Sequence, residues 1–454
     1  MNHGTISTTA RFKKTFTGAM VAGLLAGSPL LQAATSPLVT ADQKALDSKA
    51  AQINSNWDYP ALKAEVRAAY VAAYAIGKGT VSAEAQARLD NAVDELAFSA
   101  IQKAVNNDPW FPKVYWLNTP PHAWAGSSIP GGRYSFDNPD NIYRTIPIAG
   151  DGKYEITGKR YTPGPTDITF SLISNPNAQQ TIAYLTGNDI VVNTDGSYTV
   201  TVDSQPANGR KNHIQSTSAA KQLFIRNNLG NWNTETPDAL SVKRLDSVPW
   251  YVLPKSNLTI GSEAWGNLQE SVVTYGVGAL GVKTYVNALN TLANPSSSST
   301  LGTLVTQASS FGHFRIADDE ALVVTVNTGG AGYFVLPVTD AWSVTVDPVN
   351  HQSSLNNKQA VLNANGTYTF VVSPKDPGVF NWVDTVGQHE GTIMARWQNL
   401  PAQSPASGGP AIAAQLVKLN QLNALLPAGT RFVSAAERAA QIQARQAGFA
   451  RRLQ

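Results

Sequence analysis

The fold is decided by two matching stretches, Asn193-Thr-Asp-Gly-Ser-Tyr-Thr-Val-Thr-Val202 and Asn363-Ala-Asn-Gly-Thr-Tyr-Thr-Phe-Val-Val372, which begin 170 residues apart. In each, Asp-Gly or Asn-Gly supplies the positive-φ positions of a tight turn, and the following Tyr, Thr and Val alternate as in a β-strand. The register continues beyond the strand, because Arg226 and Arg396 each lie 24 residues past the last Val. We therefore expect a duplicated β unit.

Hydrophobic periodicity and turn residues extend this prediction to the whole chain. Apolar residues recur at helical spacing between 40 and 107, with Ser82 as an expected N-cap, and Ser434-Ala-Ala-Glu437 is a capping box that opens a last helix. Strands are predicted at Ile142–Ile148, Tyr154–Thr157, Asp167–Ile173, Ile190–Val192, Tyr198–Val202, Leu223–Arg226, Ala321–Val326, Tyr333–Val338, Ser343–Val346, Tyr368–Val372 and Thr392–Trp397.

These elements predict a mainly β protein with helical additions (α+β), built from tandem duplicated β-sandwich or jelly-roll units. The expected order is a signal peptide at 1–33, a helical segment at 34–108, a first β-sandwich unit at 109–250, a helical connector with a Ser-rich insert at 251–310, a second β-sandwich unit at 311–400, and a linker with a helical tail at 401–454.

The N-terminus has the pattern of an export signal. Arg11, Lys13 and Lys14 precede a short apolar run that ends at Leu31, and Ala33 is a small residue suited to cleavage. A periplasmic or secreted protein is therefore expected, with no integral membrane segment once the signal is removed. An N-terminal anchor is the less favoured alternative, because the apolar run is short and interrupted.

Composition excludes several functions. The chain has no Cys, so thiol redox chemistry and thiolate metal sites are excluded. Three of the 34 basic residues fall within the first 33 positions, which leaves equal numbers of bases and acids, and a balanced surface argues against nucleic-acid binding. No nucleophile elbow, P-loop or dinucleotide fingerprint occurs, so no cofactor is predicted. Oligomeric state stays open.

Several segments resemble a bacterial family known as domain of unknown function 1214. They include Phe314-Arg-Ile-Ala-Asp-Asp-Glu-Ala-Leu-Val-Val324, Val349-Asn-His-Gln-Ser-Ser-Leu-Asn356, Asp376-Pro-Gly-Val-Phe-Asn-Trp-Val-Asp-Thr385 and Gly391-Thr-Ile-Met-Ala-Arg-Trp397. The likeness also covers 138–143, 223–226 and the tail from 426 to 452. It implies a β-sandwich fold common in exported or envelope proteins, and it brings no reaction, substrate or cofactor.

Titratable residues that could carry chemistry lie in the second copy. His351, Asp384 and His389 follow or flank its strands and could form an acid–base pair, a metal site or structural hydrogen bonds. No His-x-His or His-Glu-x-x-His spacing selects the metal. An envelope hydrolase or lyase that uses His351 and Asp384 is the alternative function.

The favoured function is the binding of a glycan-like or aromatic small molecule at the junction of the two β units. Trp382, Trp116 and Trp124 are the aromatic candidates for ligand contact, although core or inter-domain packing is the favoured role of such residues. Arg396 is the candidate for an anionic group. Because Arg226 occupies the same position in the first copy, buried or half-buried ion pairs are the favoured role of both arginines, and ligand binding is the alternative.

Overall fold

The N-terminal part is helical, as predicted. The computed structural model describes residues 35–124, 126–298 and 307–454, and the predicted signal peptide lies outside them. Helices α1, α2 and α3 span Ala41–Asn56, Pro60–Lys78 and Ala83–Val105. The Ser82 hydroxyl caps α3 by accepting the backbone N–H of Ala85 at 3.0 Å, which satisfies one of the free donors of the first turn.

The first β unit is a sandwich of two sheets. Its strands β1 to β11 are Tyr115–Leu117, His122–Trp124, Ser127–Ile129, Asn141–Pro147, Tyr154–Lys159, Asp167–Asn175, Gln180–Thr186, Ser197–Asp203, His213–Gln215, Gln222–Asn228 and Ala239–Arg244. One sheet has the order β1-β4-β10-β6-β7 and the other β11-β5-β8-β9, while β2 and β3 pair separately. Ile156 of the second sheet shares a buried core with Phe170 and Leu223 of the first.

A long helix follows. Helix α4 spans Asn257–Ser271 and continues without a break as a π-helix, Val272–Tyr285. The Thr284 hydroxyl donates to the carbonyl of Ala279, five residues earlier, at 2.8 Å. Such long π-helical segments are rare and often accompany function.

The second β unit repeats the first. Strands β12 to β21 are Thr291–Leu292, Ser296–Ser297, Gln307–Arg315, Glu320–Asn327, Tyr333–Thr339, Ser354–Asn356, Tyr368–Ser373, Trp382–Asp384, Glu390–Gln398 and Ala411–Lys418. The orders β14-β20-β16-β17 and β21-β15-β18-β19 match β4-β10-β6-β7 and β11-β5-β8-β9 strand for strand. In both copies the last pair of the second sheet is parallel and its other pairs are antiparallel. The duplication predicted from the sequence is confirmed.

The two turns that indicated the repeat have the same hydrogen bonds. The backbone N–H of Asn193 donates to the carbonyl of Ser197, and that of Asn363 to the carbonyl of Thr367, both at 2.8 Å. The intervening glycines have φ of 89° and 80°. A tight turn followed by a strand is therefore present in each copy.

Some boundaries differ from the prediction. Ala411–Lys418 is an edge strand paired with Glu320–Asn327, whereas the sequence assigned it to the helical tail that follows the linker. Only Val417 is buried in this strand, so few of its residues contribute to the core. Ile190–Val192 forms no strand, and in 343–346 only Thr345 makes an isolated bridge; these two predicted strands are wrong.

The C-terminal tail packs against the second unit. A 3₁₀ turn at Leu419–Gln421 leads into α5, Leu422–Leu425, and α6 spans Ala435–Ala450. Ser434 and Glu437 form the predicted capping box. The Arg445 guanidinium anchors α6 by donating to the Ser354 hydroxyl at 2.7 Å. Within the described ranges, no helix is long and apolar enough to cross a membrane.

Candidate functional site

His351 and Asp384 form the pair that the sequence suggested. Asp384 ends β19, and its Oδ1 accepts the backbone N–H of Val386 at 2.7 Å. Its Oδ2 lies 2.8 Å from Nδ1 of His351. The imidazole is half-buried and the carboxylate almost fully buried, so the acid fixes the ring orientation. This arrangement can support acid–base chemistry.

His389 does not join that pair. Its Nδ1 lies 2.9 Å from Oε2 of Glu84, and its Nε2 lies 3.1 Å from Oδ1 of Asp318. The hydrogen bond to Glu84, followed by the one to Asp318, raises the pKa of His389. His389 therefore ties the first turn of α3 to the loop between β14 and β15. In the described residues, no three His, Asp or Glu side chains are arranged to hold a metal, so the converging metal site is not formed.

The three candidate tryptophans are packing residues. Less than a tenth of Trp116, Trp124 and Trp382 is exposed. Trp116 and Trp124 enclose the His122 ring, which lies edge-on to Trp124 at 4.9 Å. The Trp382 indole donates to a backbone carbonyl of β18 at 3.1 Å. None of them presents an open face for stacking on a sugar.

The two sandwiches meet along a polar seam, which we define as the interface between the outward faces of the sheets that contain β10 and β20. Asn228 of β10 donates to Oε1 of Gln398 of β20 at 2.5 Å. These residues occupy the same position of the repeat, 170 residues apart. Each also bonds to the matching residue of its neighbouring strand, Asn228 with Asn141 and Gln398 with Gln307. Contacts between counterparts indicate an approximate twofold relation across the seam.

Arg226 and Arg396 project into this seam. Arg226 follows the inward-facing Ile225, and Arg396 follows the inward-facing Ala395, so both guanidinium groups point away from their own cores. Both are almost fully buried. Burial is the main cause that lowers the pKa of each, and in Arg226 the neighbouring charge of Arg396 lowers it further.

Neither arginine has an ion-pair partner among the described residues, so the ion pairs favoured from the sequence are not formed. Arg226 donates only to the amide oxygens of Gln307 and Gln179, at 3.3 and 3.2 Å. Its Nε is buried and has no hydrogen-bond partner. Arg396 donates to two backbone carbonyls, those of Met394 and Phe136. An unpaired buried charge is costly, and the seam brings two such guanidinium groups close enough to interact.

Aromatic rings line the seam beside the arginines. The Arg226 guanidinium lies 5.0 Å from the centre of the Phe224 ring and 5.7 Å from that of Tyr143. Next to them, the rings of Tyr134 and Tyr275 lie 4.9 Å apart, and the Tyr275 hydroxyl is buried without a partner. The seam therefore combines positive charge, aromatic surface and unsatisfied polar atoms.

A cavity opens on the same sheet face. It has a volume of about 330 Å³ and is lined by residues that include Thr169, Tyr184, Ser297 and Gln398. Thr169 is the register partner of Arg226 on β6, so their side chains lie on one face of the sheet. Half of Tyr184 is exposed, which provides an aromatic surface at the entrance.

A larger cleft lies elsewhere. Its volume is about 570 Å³, and it is lined by residues of α3, the loop at 120–123, the loop at 340–350 and helix α6. Two of its charged groups have partners: Arg133 forms a buried ion pair with Glu95, and one carboxylate oxygen of Asp340 accepts the N–H groups of Trp342 and Val344. Arg88 also lines the cleft and adds a cationic group to it.

One solved structure supports the fold. A crystal structure of an uncharacterised protein from Burkholderia cenocepacia superposes with a TM-score of 0.66 at 21% identity, covering 82% of this chain and 99% of that one. A Vibrio parahaemolyticus protein shares 11% identity over 78% of this chain and all of its own, with a TM-score of 0.38. No family model matches the sequence, and no curated protein matches it.

The sequence predicts a ligand site at the junction of the two β units, and the arginines of the seam lie at that junction. Sequence reasoning singled out Arg396 and Arg226 and interpreted them as ion-paired, because a feature in both copies looks structural. Each arginine directly follows an apolar residue of a central strand, so its side chain lies on the face of the sheet away from the core. This alternation is the sequence pattern that indicates a position in the seam. Tyr143, Tyr134 and Tyr275 carried no such signal, since a buried tyrosine in a core has the same sequence context.

Proposed function

We propose that this protein binds a small anionic molecule with an aromatic or sugar ring in the seam between its two β-sandwiches. The observation that carries the proposal is the pair of buried arginines without carboxylate partners. Two neighbouring guanidinium groups repel each other, and an anion between them would satisfy both charges.

Recognition would be divided between charge and ring contacts. Arg226 and Arg396 would hold a carboxylate, sulfate or phosphate, since the planar guanidinium group suits such anions. Tyr143 and Phe224, whose rings stack 5.8 Å apart, would line the ring of the ligand. The expected ligand is therefore an aromatic acid or an acidic sugar, which narrows the glycan-like or aromatic class expected from the sequence.

Isothermal titration calorimetry on residues 34–454 would test this proposal with benzoate and glucuronate as probes. Benzyl alcohol and methyl glucoside serve as neutral analogues. We expect at least one anionic probe to bind, its neutral analogue not to bind, and Arg226→Met or Arg396→Met to weaken binding at least tenfold. Arg210→Met is the matched control, because this arginine pairs with Asp203 on an exposed surface. Equal affinity in all variants, or no binding of either probe, would refute the proposal.

Binding is proposed to take place in the periplasm or outside the cell. The support is the export pattern in residues 1–33. N-terminal sequencing of the protein recovered from fractionated cells would test this location. A mature N-terminus near Ala34 in the periplasmic or secreted fraction is expected, and an intact Met1 in the cytoplasmic fraction would contradict it.

A second candidate function is acid–base catalysis at His351. The 2.8 Å contact with Asp384 favours it, because a buried carboxylate on Nδ1 orients the imidazole for proton transfer. A hydrolase or lyase should lose turnover in His351→Ala while remaining folded. Turnover that survives this substitution, in any reaction found for the protein, would remove the candidate.

A further inference from the structure

The long helix 257–285 has an apolar outer face along its π-helical half. Val273, Val277 and Val282 are its exposed positions there, and Val286 follows directly after the helix. These four residues recur every four or five positions, which places them on one side. In α4, Leu258 and Trp265 are exposed among polar residues. No charged residue occurs between Ser271 and Val282. A surface helix of a globular protein normally presents a polar outer face, so this one is unusual.

The loop before the helix extends the apolar surface. Trp250 is 92% exposed, and Tyr251 and Leu253 are also mostly exposed. We call this loop and the outer helix face together the apolar strip. With about 150–250 Å² for an aromatic and about 100 Å² for an aliphatic side chain, its exposed fractions sum to roughly 700–900 Å².

The exposed apolar area of the strip indicates that a protein partner covers it. The largest apolar patch on a typical monomer is about 300–600 Å², whereas a stable interface needs about 800 Å² from each partner. The strip exceeds the first value and meets the second. Its composition is that of a permanent interface, rich in aromatic and aliphatic residues and poor in charge.

Gly266 gives a second indication. It lies inside α4, where glycine costs about 1 kcal/mol relative to alanine. A Cβ atom added there would meet nothing within 4 Å, so no contact of this chain requires the glycine. Gly266 lies seven residues before Val273 and hence on nearly the same side of the helix. The close approach of another helix would account for it.

We propose that a second copy of this chain covers the apolar strip, with the two long helices packed against each other around a twofold axis. A twofold interface uses the same patch on both subunits, and an elongated strip meets this requirement when the helices run antiparallel. The interface is independent of the anion site, because the strip contains no residue of the seam.

Sedimentation equilibrium of residues 34–454 across micromolar concentrations tests the proposal. We expect a dimer for the wild type, a monomer for Val277→Glu, and an unchanged dimer for Leu362→Glu. Leu362 is the matched control because it is about as exposed as Val277 but lies outside the strip. Since both sites are exposed, neither substitution should unfold the chain.

A cysteine substitution gives an independent measurement. The chain has no Cys, so Gln269→Cys near the middle of the strip introduces the sole thiol. Near a twofold axis this thiol should form an intersubunit disulfide on mild oxidation, while Leu362→Cys should not. A monomeric wild type would overturn the proposal, whether or not it binds zwitterionic lipid vesicles. A dimer that persists in Val277→Glu and is not cross-linked by Gln269→Cys would also overturn it.

Discussion

Replacing Arg226 with methionine removes a buried charge and keeps most of the side-chain volume. Two long hydrogen bonds to amide oxygens and the contacts with the Phe224 and Tyr143 rings are lost, each worth about 0.5–1 kcal/mol. Burying an unpaired charge costs several kcal/mol in desolvation, and the methionine variant avoids this cost. Repulsion from Arg396 disappears as well. We expect the free energy of unfolding of the ligand-free protein to rise by about 1–3 kcal/mol.

The matched control is Arg133→Met, because Arg133 is equally buried but pairs with Glu95. Removing it leaves a buried carboxylate uncompensated, which should destabilise the protein by about 3–5 kcal/mol. Urea unfolding followed by tryptophan fluorescence would measure both variants. If Arg226→Met destabilises the protein as much as Arg133→Met does, the seam arginines are structural and the reasoning fails.

Three other predictions concern the repeat and its buried charges. Gly196→Ala should destabilise the protein by about 1 kcal/mol or more beyond the effect of Gly366→Ala, measured by thermal unfolding. Both glycines have positive φ, but only a Cβ at Gly196 would lie 2.4 Å from a carbonyl oxygen. Equal losses of stability in the two variants would contradict this prediction. Burial raises the pKa of Asp340 to about 7, so the stability that this carboxyl contributes is present below its pKa in the unfolded chain and is lost as pH rises towards 7. Asp340→Asn should therefore flatten the decline of the urea midpoint between pH 4 and pH 8. A decline of unchanged slope in this variant would refute the prediction. Glu390→Gln should lower the free energy of unfolding by about 3–5 kcal/mol at pH 6 and by less at pH 9. The substitution leaves the buried charge of Lys78 without its carboxylate partner, and burial lowers the pKa of Lys78 to about 8. A loss of stability in urea unfolding that does not depend on pH would contradict this prediction.

The sequence predicts most of the architecture because its strongest local signals agree with each other. The Asp195-Gly and Asn365-Gly turns, the Ser82 cap and the capping box at Ser434 all form as expected. Edge strands were harder, since Ala411–Lys418 is largely exposed and gains its conformation from pairing with β15.

The candidate site was only partly predictable. The predicted pairing of Asp384 with His351 is present in the structure. His389 instead contacts helix α3 and the loop between β14 and β15, and the spacing of these residues in the sequence does not predict such contacts. The seam depends on how two sandwiches pack, and packing between units leaves no periodic trace in sequence. The sequence therefore indicated Arg396 as a candidate for anion binding, but it did not predict that this arginine is buried between the two sandwiches.

The central claim is that Arg226 and Arg396 bind an anion together. Anomalous diffraction from crystals soaked with 4-bromobenzoate tests it most directly, because bromine marks the ring and the density shows the carboxylate. We predict a bromine peak beside Tyr143 and Phe224, with the carboxylate between the two guanidinium groups. A seam without ligand density, at concentrations that fill other sites, would contradict the account.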